Sequence, residues 1–256
     1  METNIGSDLI IGGSSQIAKY MPENYHRVSG RIIPEYVFNY PWKRVYICFA
    51  EQRTALADNK RFKSEFYDVN FHKTLAVINK LTAQTIVCFS TTELWNMCHG
   101  AIDLQTPYNF KENYYTDSKL LLTNTLKERE NVITLYPFNF NSRFRSENFL
   151  FGKIYNSLIN NRKIEIGSTY YYREILHARY VASEAMMANS TKIIGSGRLI
   201  YVNDYIKDLY IQAKLDYNNL VVESEQSWRP NNTFWLNSTD CKYSYIDLLK
   251  DSMEDL

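Results

Sequence analysis

The stretch Asp8-Leu9-Ile10-Ile11-Gly12-Gly13-Ser14-Ser15-Gln16-Ile17-Ala18-Lys19-Tyr20-Met21 opens the reading of the fold. Asp8–Ile11 is a short apolar run of the kind buried inside a sheet. Two glycines and two serines follow, then Gln16–Met21 reads as a helical segment that stops at Pro22. Strand, tight turn and helix in that order form the first unit of an open α/β sheet, whose ligands sit beyond the carboxyl ends of the strands.

Outward from that unit, Tyr25–Val28 reads as a second short strand. Arg44–Ala50 (RVYICFA) and Thr85–Ser90 (TIVCFS) are apolar, β-prone runs suited to burial on both faces of a parallel sheet. Between them the spacing of Val69, Leu75, Val77, Ile78 and Leu81 predicts a helix over Val69–Leu81. Lys111–Glu128 reads as a long helix and Val132–Tyr136 as the next strand. Alternation of this kind predicts an α/β fold with a doubly wound sheet. Beyond Pro137 we expect helices over Phe149–Ile159, Tyr180–Ala188, Asp204–Lys214 and Tyr245–Met253, with strands over Lys163–Gly167 and Leu199–Val202. Residues 1–140 read as the core and 141–256 as a smaller lobe interwoven with it.

Composition narrows the function classes. The chain has 256 residues, 45% hydrophobic, with a formal charge of +1, so no overall field recruits nucleic acid or an anionic membrane. Cys48, Cys88, Cys98 and Cys241 form no CxxC pair and read as reduced thiols. His26, His72, His99 and His177 form no HxH or HExxH, so no metal centre is expected. METNIGSDLII lacks the basic region of a signal peptide, and no run reaches the roughly 18 apolar residues of a membrane span. The expectation is a soluble, cytoplasmic protein whose sequons at Asn189, Asn231 and Asn237 go unused.

Two segments carry chemistry. In Tyr115-Thr-Asp-Ser-Lys119 the phenol and the ammonium lie four residues apart on one helix face. A neighbouring ammonium stabilises the phenolate, which makes Tyr115 a candidate proton shuttle. In a chain with 21 tyrosines the same spacing also arises on solvated helix faces. Upstream, Ser90-Thr91-Thr92-Glu93-Leu94-Trp95 leaves the end of a central strand, where a hydroxyl can reach a reacting oxygen or simply cap a turn.

Taken in order, Gly12–Ala18, Asp68-Val69-Asn70, STTELW and YxxSK resemble the extended short-chain dehydrogenase/reductases, in their sugar epimerase/dehydratase branch. Leu135-Tyr-Pro-Phe-Asn139 is similar to the family's LRPFN, Arg173-Glu-Ile-Leu-His177 to its RDFIH, and Ile194-Gly-Ser-Gly197 to its NIGSG. The likeness spans about residues 8–215. It implies a Rossmann-like doubly wound parallel sheet with a small C-terminal α/β substrate lobe, and hydride transfer between NAD(P) and carbon 4 of a nucleotide-activated sugar. Thr91 would be the catalytic hydroxyl, Tyr115 the acid/base, and Lys119 its partner and the holder of the nicotinamide ribose. Gly12, Gly13, Ser15, Gln16 and Ile17 would line the pyrophosphate at a helix N-terminus, with Ala50, Ser90 and Pro137 as further cofactor contacts. Thr92, Asn139 and Arg173 would touch substrate. Glu93 stands where sugar dehydratases carry a proton-abstracting carboxylate; it could equally orient a backbone turn. A homodimer through the helices Val69–Leu81 and Lys111–Glu128 is also implied.

The chain departs from the family in three places. Ser15 and Ala18 replace glycines of TGxxGxxG. Only about sixteen residues separate the second strand from RVYICFA, so the helix–strand–helix around the adenosine is shortened, and the ribose-binding carboxylate is absent. Ser29-Gly30-Arg31 stands there instead, with Arg27 nearby, which favours NADP over NAD unless both arginines are merely solvated. Trp95-Asn96 and Tyr136 replace the usual Tyr-Gly and Arg. A reductase or epimerase is the leading expectation, in surface-polysaccharide or deoxysugar synthesis. A 4,6-dehydratase, a non-catalytic sugar-nucleotide binder and a reductase of a small ketone are the alternatives.

Overall fold

The computed structural model describes residues 7–223, 235–238 and 243–256; Cys241 and the sequon at Asn231 lie outside them. The central sheet has six strands: β1 (Asp8–Ile11), β2 (His26–Val28), β3 (Trp42–Ile47), β4 (Ala83–Phe89), β5 (Val132–Pro137) and β6 (Lys192–Ile194). Their order is β6-β5-β4-β3-β1-β2, and the pairings from β2 through to β5 are parallel. Leu9, Ile10 and Ile11 are all buried, as are Val45–Ile47 and Ile86–Phe89. Consecutive rather than alternating burial is what a sheet covered on both faces requires.

The main helices of the core are α1, a continuous helical stretch of Lys63–Tyr67, a π-turn over Asp68–Lys73 and Thr74–Lys80, and α2 (Tyr114–Leu126). Val77, Ile78, Leu122 and Leu126 pack with Leu9, Ile11, Val45, Ile47 and Ile86 in one cluster. At the start of α2, Asn113 accepts from the amides of Tyr115 and Thr116, and Thr116 Oγ1 accepts from the Asn113 amide. This reciprocal cap fixes the first turn and starts the helix three residues later than the sequence pattern suggests.

By contact density the chain divides into two units. One comprises the described residues up to Asn96 together with Tyr108–Pro137 and Ala182–Ile193. The other comprises Met97–Pro107, Phe138–Val181 and the described residues from Ile194 onward. The second unit holds α3 (Leu150–Asn160), the start of α4 (Ala178–Met187), α5 (Val202–Gln212) and α6 (Tyr245–Met253). Its small sheets pair Asn139–Asn141 with Ile175–His177, Tyr172–Arg173 with Ile200–Tyr201, and Gly100–Ile102 with Trp235–Asn237.

Two expectations need correction. RVYICFA is shifted: β3 begins at Trp42 and ends at Ile47, so Cys48–Ala50 is loop. The helix expected over Gln16–Met21 is one 3-10 turn, Ala18–Tyr20. Met21 is extended before Pro22, as a residue preceding proline must usually be. Arg27 completes the stop, donating to the carbonyls of Ala18 (2.6 Å), Met21 (2.8 Å) and Pro22 (2.9 Å).

Among the described residues no helix is long and apolar enough to cross a membrane, and no three His, Cys, Asp or Glu side chains gather into a metal site.

Candidate active site

Lys119 anchors the site. Its side chain is 4% exposed, and its Nζ donates to the carbonyl of Phe89, the last residue of β4, at 2.9 Å. It makes no other hydrogen bond among the described residues. Burial lowers the ammonium pKa, with Cys88 acting in the opposite direction. One turn earlier, Tyr115 is also buried and meets the Phe66 ring edge-on, centroids 6.4 Å apart.

Two residues beyond Phe89, Thr91 caps the 3-10 turn Thr92–Trp95. Its hydroxyl oxygen accepts from the amide of Glu93 at 3.2 Å, which leaves its O–H to donate elsewhere. That turn packs against α2. Ser90 is bonded to Thr123 of α2 (Oγ to Oγ1, 2.8 Å), and the buried Thr92 donates to the Pro137 carbonyl at 3.3 Å. Glu93 is half-buried, its Oε2 accepting from Asn96 Nδ2 at 3.0 Å. The end of β4, which Thr91 follows, is thus tied to α2 at two points, Lys119 to Phe89 and Ser90 to Thr123.

Asn70 is the last residue of the Asp68-Val69-Asn70 segment. In the π-turn of α1 it is 1% exposed; its Oδ1 accepts from the Glu51 amide at 2.8 Å and its Nδ2 donates to Ser118 Oγ at 3.2 Å. Ser118 Oγ in turn donates to the Tyr115 carbonyl at 2.9 Å. Asn70 therefore holds the loop after β3 to the turn of α2 that carries Tyr115. An isolated asparagine in a helical pattern gives no signal of that bridge.

The glycine turn lies at the carboxyl ends of β1 and β3, on either side of which the chain order reverses. Gly12 has φ +96°, and a Cβ there would fall 2.8 Å from the Phe49 nitrogen, so only glycine fits. The amides of Gly12 and Gly13 both donate to the Val28 carbonyl. Ser15 Oγ accepts from the Ala18 amide and bonds the buried Cys48 thiol; burial pushes that thiol up to about 12, with Ser15 opposing. The replacement of a glycine by Ser15 is therefore absorbed inside the turn. What is missing is the helix behind it: a single 3-10 turn supplies little of the dipole that usually faces a pyrophosphate. Arg27 is committed to carbonyls and does not face a 2′-phosphate, whereas Arg31 is exposed.

In the second unit, Asn139 is exposed on a strand paired with Ile175–His177. The Arg173 guanidinium lies 5.0 Å from the Tyr171 ring and 5.2 Å from that of Trp235, and donates to the Tyr172 carbonyl. The neighbouring Glu174, 1% exposed, accepts from the amides of Ser196, Gly197 and Asn237. It staples the IGSG loop to the Trp235 strand. Trp235 gave no sequence signal.

The residues present fit the nicotinamide end of a dinucleotide. A buried ammonium with one acceptor has two N–H groups left for ribose hydroxyls, and at Gly12 the backbone of Cys48 and Phe49 leaves no room for a side chain. The adenosine end is reduced.

No protein-family model matches the chain, and no curated protein matches it. Solved structures do. The UDP-glucose 4-epimerase of Thermotoga maritima with UDP-glucose is 14% identical at TM-score 0.74, over 97% of this chain and 98% of that one. The UDP-N-acetylglucosamine 4-epimerase of Methanobrevibacter ruminantium, in complex with UDP-N-acetylmuramic acid, is 11% identical at TM-score 0.75, over 98% and 97%. RMD from Pseudomonas aeruginosa, complexed with NADPH, is 14% identical at TM-score 0.73, over 98% and 99%. Likeness across nearly the whole length of both partners, at identities this low, establishes the fold: the chain has the Rossmann-like α/β fold of these epimerase and NADPH-bound structures.

Proposed function

We propose that the chain is an NAD(P)-dependent enzyme that acts at carbon 4 of a nucleotide-activated sugar, as a 4-keto reductase or a 4-epimerase. The observation that carries this is the buried Lys119 ammonium, held by one carbonyl at the end of β4, one helical turn from Tyr115. A bound nicotinamide would give or take the hydride. The protein's part is the proton: Tyr115 would protonate a 4-ketone or deprotonate a 4-hydroxyl, and the Thr91 O–H would share the bond to the same oxygen. Lys119 would hold the nicotinamide ribose and favour the phenolate. Gly12, Gly13, Ser15, Gln16 and Ile17, with Ala50, Ser90 and Pro137, are the further cofactor contacts of this reading. Thr92, Asn139 and Arg173 are its substrate contacts. Arg31, exposed just after the edge strand, supports NADP over NAD. A homodimer, a cytoplasmic location and a place in surface-polysaccharide or deoxysugar synthesis belong to the same reading.

Glu93 favours a second reading. It follows Thr91 by two residues on the same turn, where a carboxylate could remove the proton next to a transient ketone, as a 4,6-dehydratase requires.

A thermal-shift titration tests the proposal, using NADPH, NADP, NADH and NAD, each alone and with UDP-, GDP-, CDP- and dTDP-sugars. A ligand that binds only the native state raises its stability. A shift with a nicotinamide that grows with one sugar nucleotide is expected. Silence toward all four nicotinamides, with a shift from a sugar nucleotide alone, would leave a binding protein without redox chemistry.

A further inference from the structure

The outer half of the crevice, toward the edge strand β2, is filled by the protein's own side chains. Phe49 follows β3 and lies across the ends of β1 and β2. A Cβ on Gly12 would sit 2.8 Å from its backbone nitrogen, and a Cβ on Gly30, just after β2, would sit 2.6 Å from its side chain. Phe49 also packs against the main core cluster. The Lys73 ammonium stands 5.9 Å from the Phe49 ring centroid and donates to the Arg31 carbonyl at 2.9 Å, closing the far side.

Sheets that bind dinucleotides usually carry a further strand outside the second one, but here β2 is the edge. Residues 29–41, which run from β2 to β3, contain only one short helix, Tyr36–Asn39. The first turn after the glycines is a 3-10 turn whose carbonyl end is occupied by Arg27. By contrast, the nicotinamide end keeps its buried lysine with two unused N–H groups.

Resting on the cofactor reading above, we infer that this site recognises the nicotinamide ribotide half of the cofactor, and that Phe49 keeps the adenosine half outside it, in solvent. The dinucleotide then gains little affinity over the reduced mononucleotide. In an ordinary site the adenosine, buried and hydrogen-bonded, would separate the two by orders of magnitude.

The test is binding, not turnover. Quenching of intrinsic tryptophan fluorescence is titrated with reduced nicotinamide mononucleotide, NADH and NADPH on the full chain at physiological salt. The three dissociation constants are expected to agree within about tenfold, or roughly 1.4 kcal/mol. NADH or NADPH binding a hundredfold or more tightly than the mononucleotide would overturn the inference and leave the cofactor reading standing. Binding of none of the three would overturn both. Phe49→Ala supplies a second comparison: opening the outer half should improve the dinucleotides relative to the mononucleotide. An unchanged ratio would overturn the assignment of Phe49 as the occupant.

Discussion

Burying the Lys119 ammonium against a single carbonyl disfavours its charged form, and burial is the leading cause that lowers its pKa from the ordinary 10.5. Between the lowered folded value and 10.5 the unfolded chain still holds a proton that the folded chain has released. Stability from this group therefore rises with pH across that window and is least below it. Lys119→Met should stabilise the fold most below the folded-state value, and its advantage should shrink as pH climbs toward 10.5. Chemical denaturation of both proteins between about pH 6 and pH 10 measures this. A gain that does not vary with pH would mean the lysine stays charged throughout. Catalysis should respond separately: Tyr115→Phe is expected to lower kcat by about 10²- to 10⁴-fold with KM little changed, the loss of a proton donor. Glu93→Gln sorts the two reactions, because a reductase would keep its kcat and a dehydratase would lose elimination.

The elements differ in how far local residues determine them. Strands β1, β4 and β5 and helix α6 follow from their own residues: continuous apolar runs for the strands, and for α6 the Ser244–Asp247 cap that starts it at Tyr245. The turn after β1 does not. Gln16–Met21 has helical spacing, and its reduction to one 3-10 turn depends on Arg27, which reaches back from β2 to take the carbonyls. Site residues divide the same way. YxxxK is visible because one helix sets its spacing, whereas Asn70 and Trp235 act through contacts far apart in sequence. The segment just after helix α6 also shows a long-range tie. His177, fully buried, accepts from the Arg179 amide at Nδ1, so its Nε2–H donates to Asp255 at 3.0 Å. Taking the acceptor away from a buried donor costs about 1–3 kcal/mol. Asp255→Ala should therefore lower Tm clearly, and an unchanged Tm would mean water replaces the carboxylate.

At the scale of the whole molecule, sheet order and charge together limit how a cofactor is chosen. With β2 at the edge, Arg31 stands exposed just beyond it, while Arg27 is spent on carbonyls and Lys73 donates to the carbonyl of Arg31 itself. The formal net charge of +1 supplies no wider field to add to it. Preference for a 2′-phosphate then rests on one solvent-screened contact. NADPH should bind a few-fold more tightly than NADH at about 0.01 M salt, where the Debye length is about 30 Å, and the gap should close as it falls to about 8 Å at 0.15 M. Arg31→Ala should abolish the gap at low salt and leave NADH binding unchanged. Fluorescence titration of both nucleotides at the two salt concentrations reads each point. A preference that survives high salt would require a desolvated phosphate site, which a strand at the sheet edge followed by an exposed arginine does not provide.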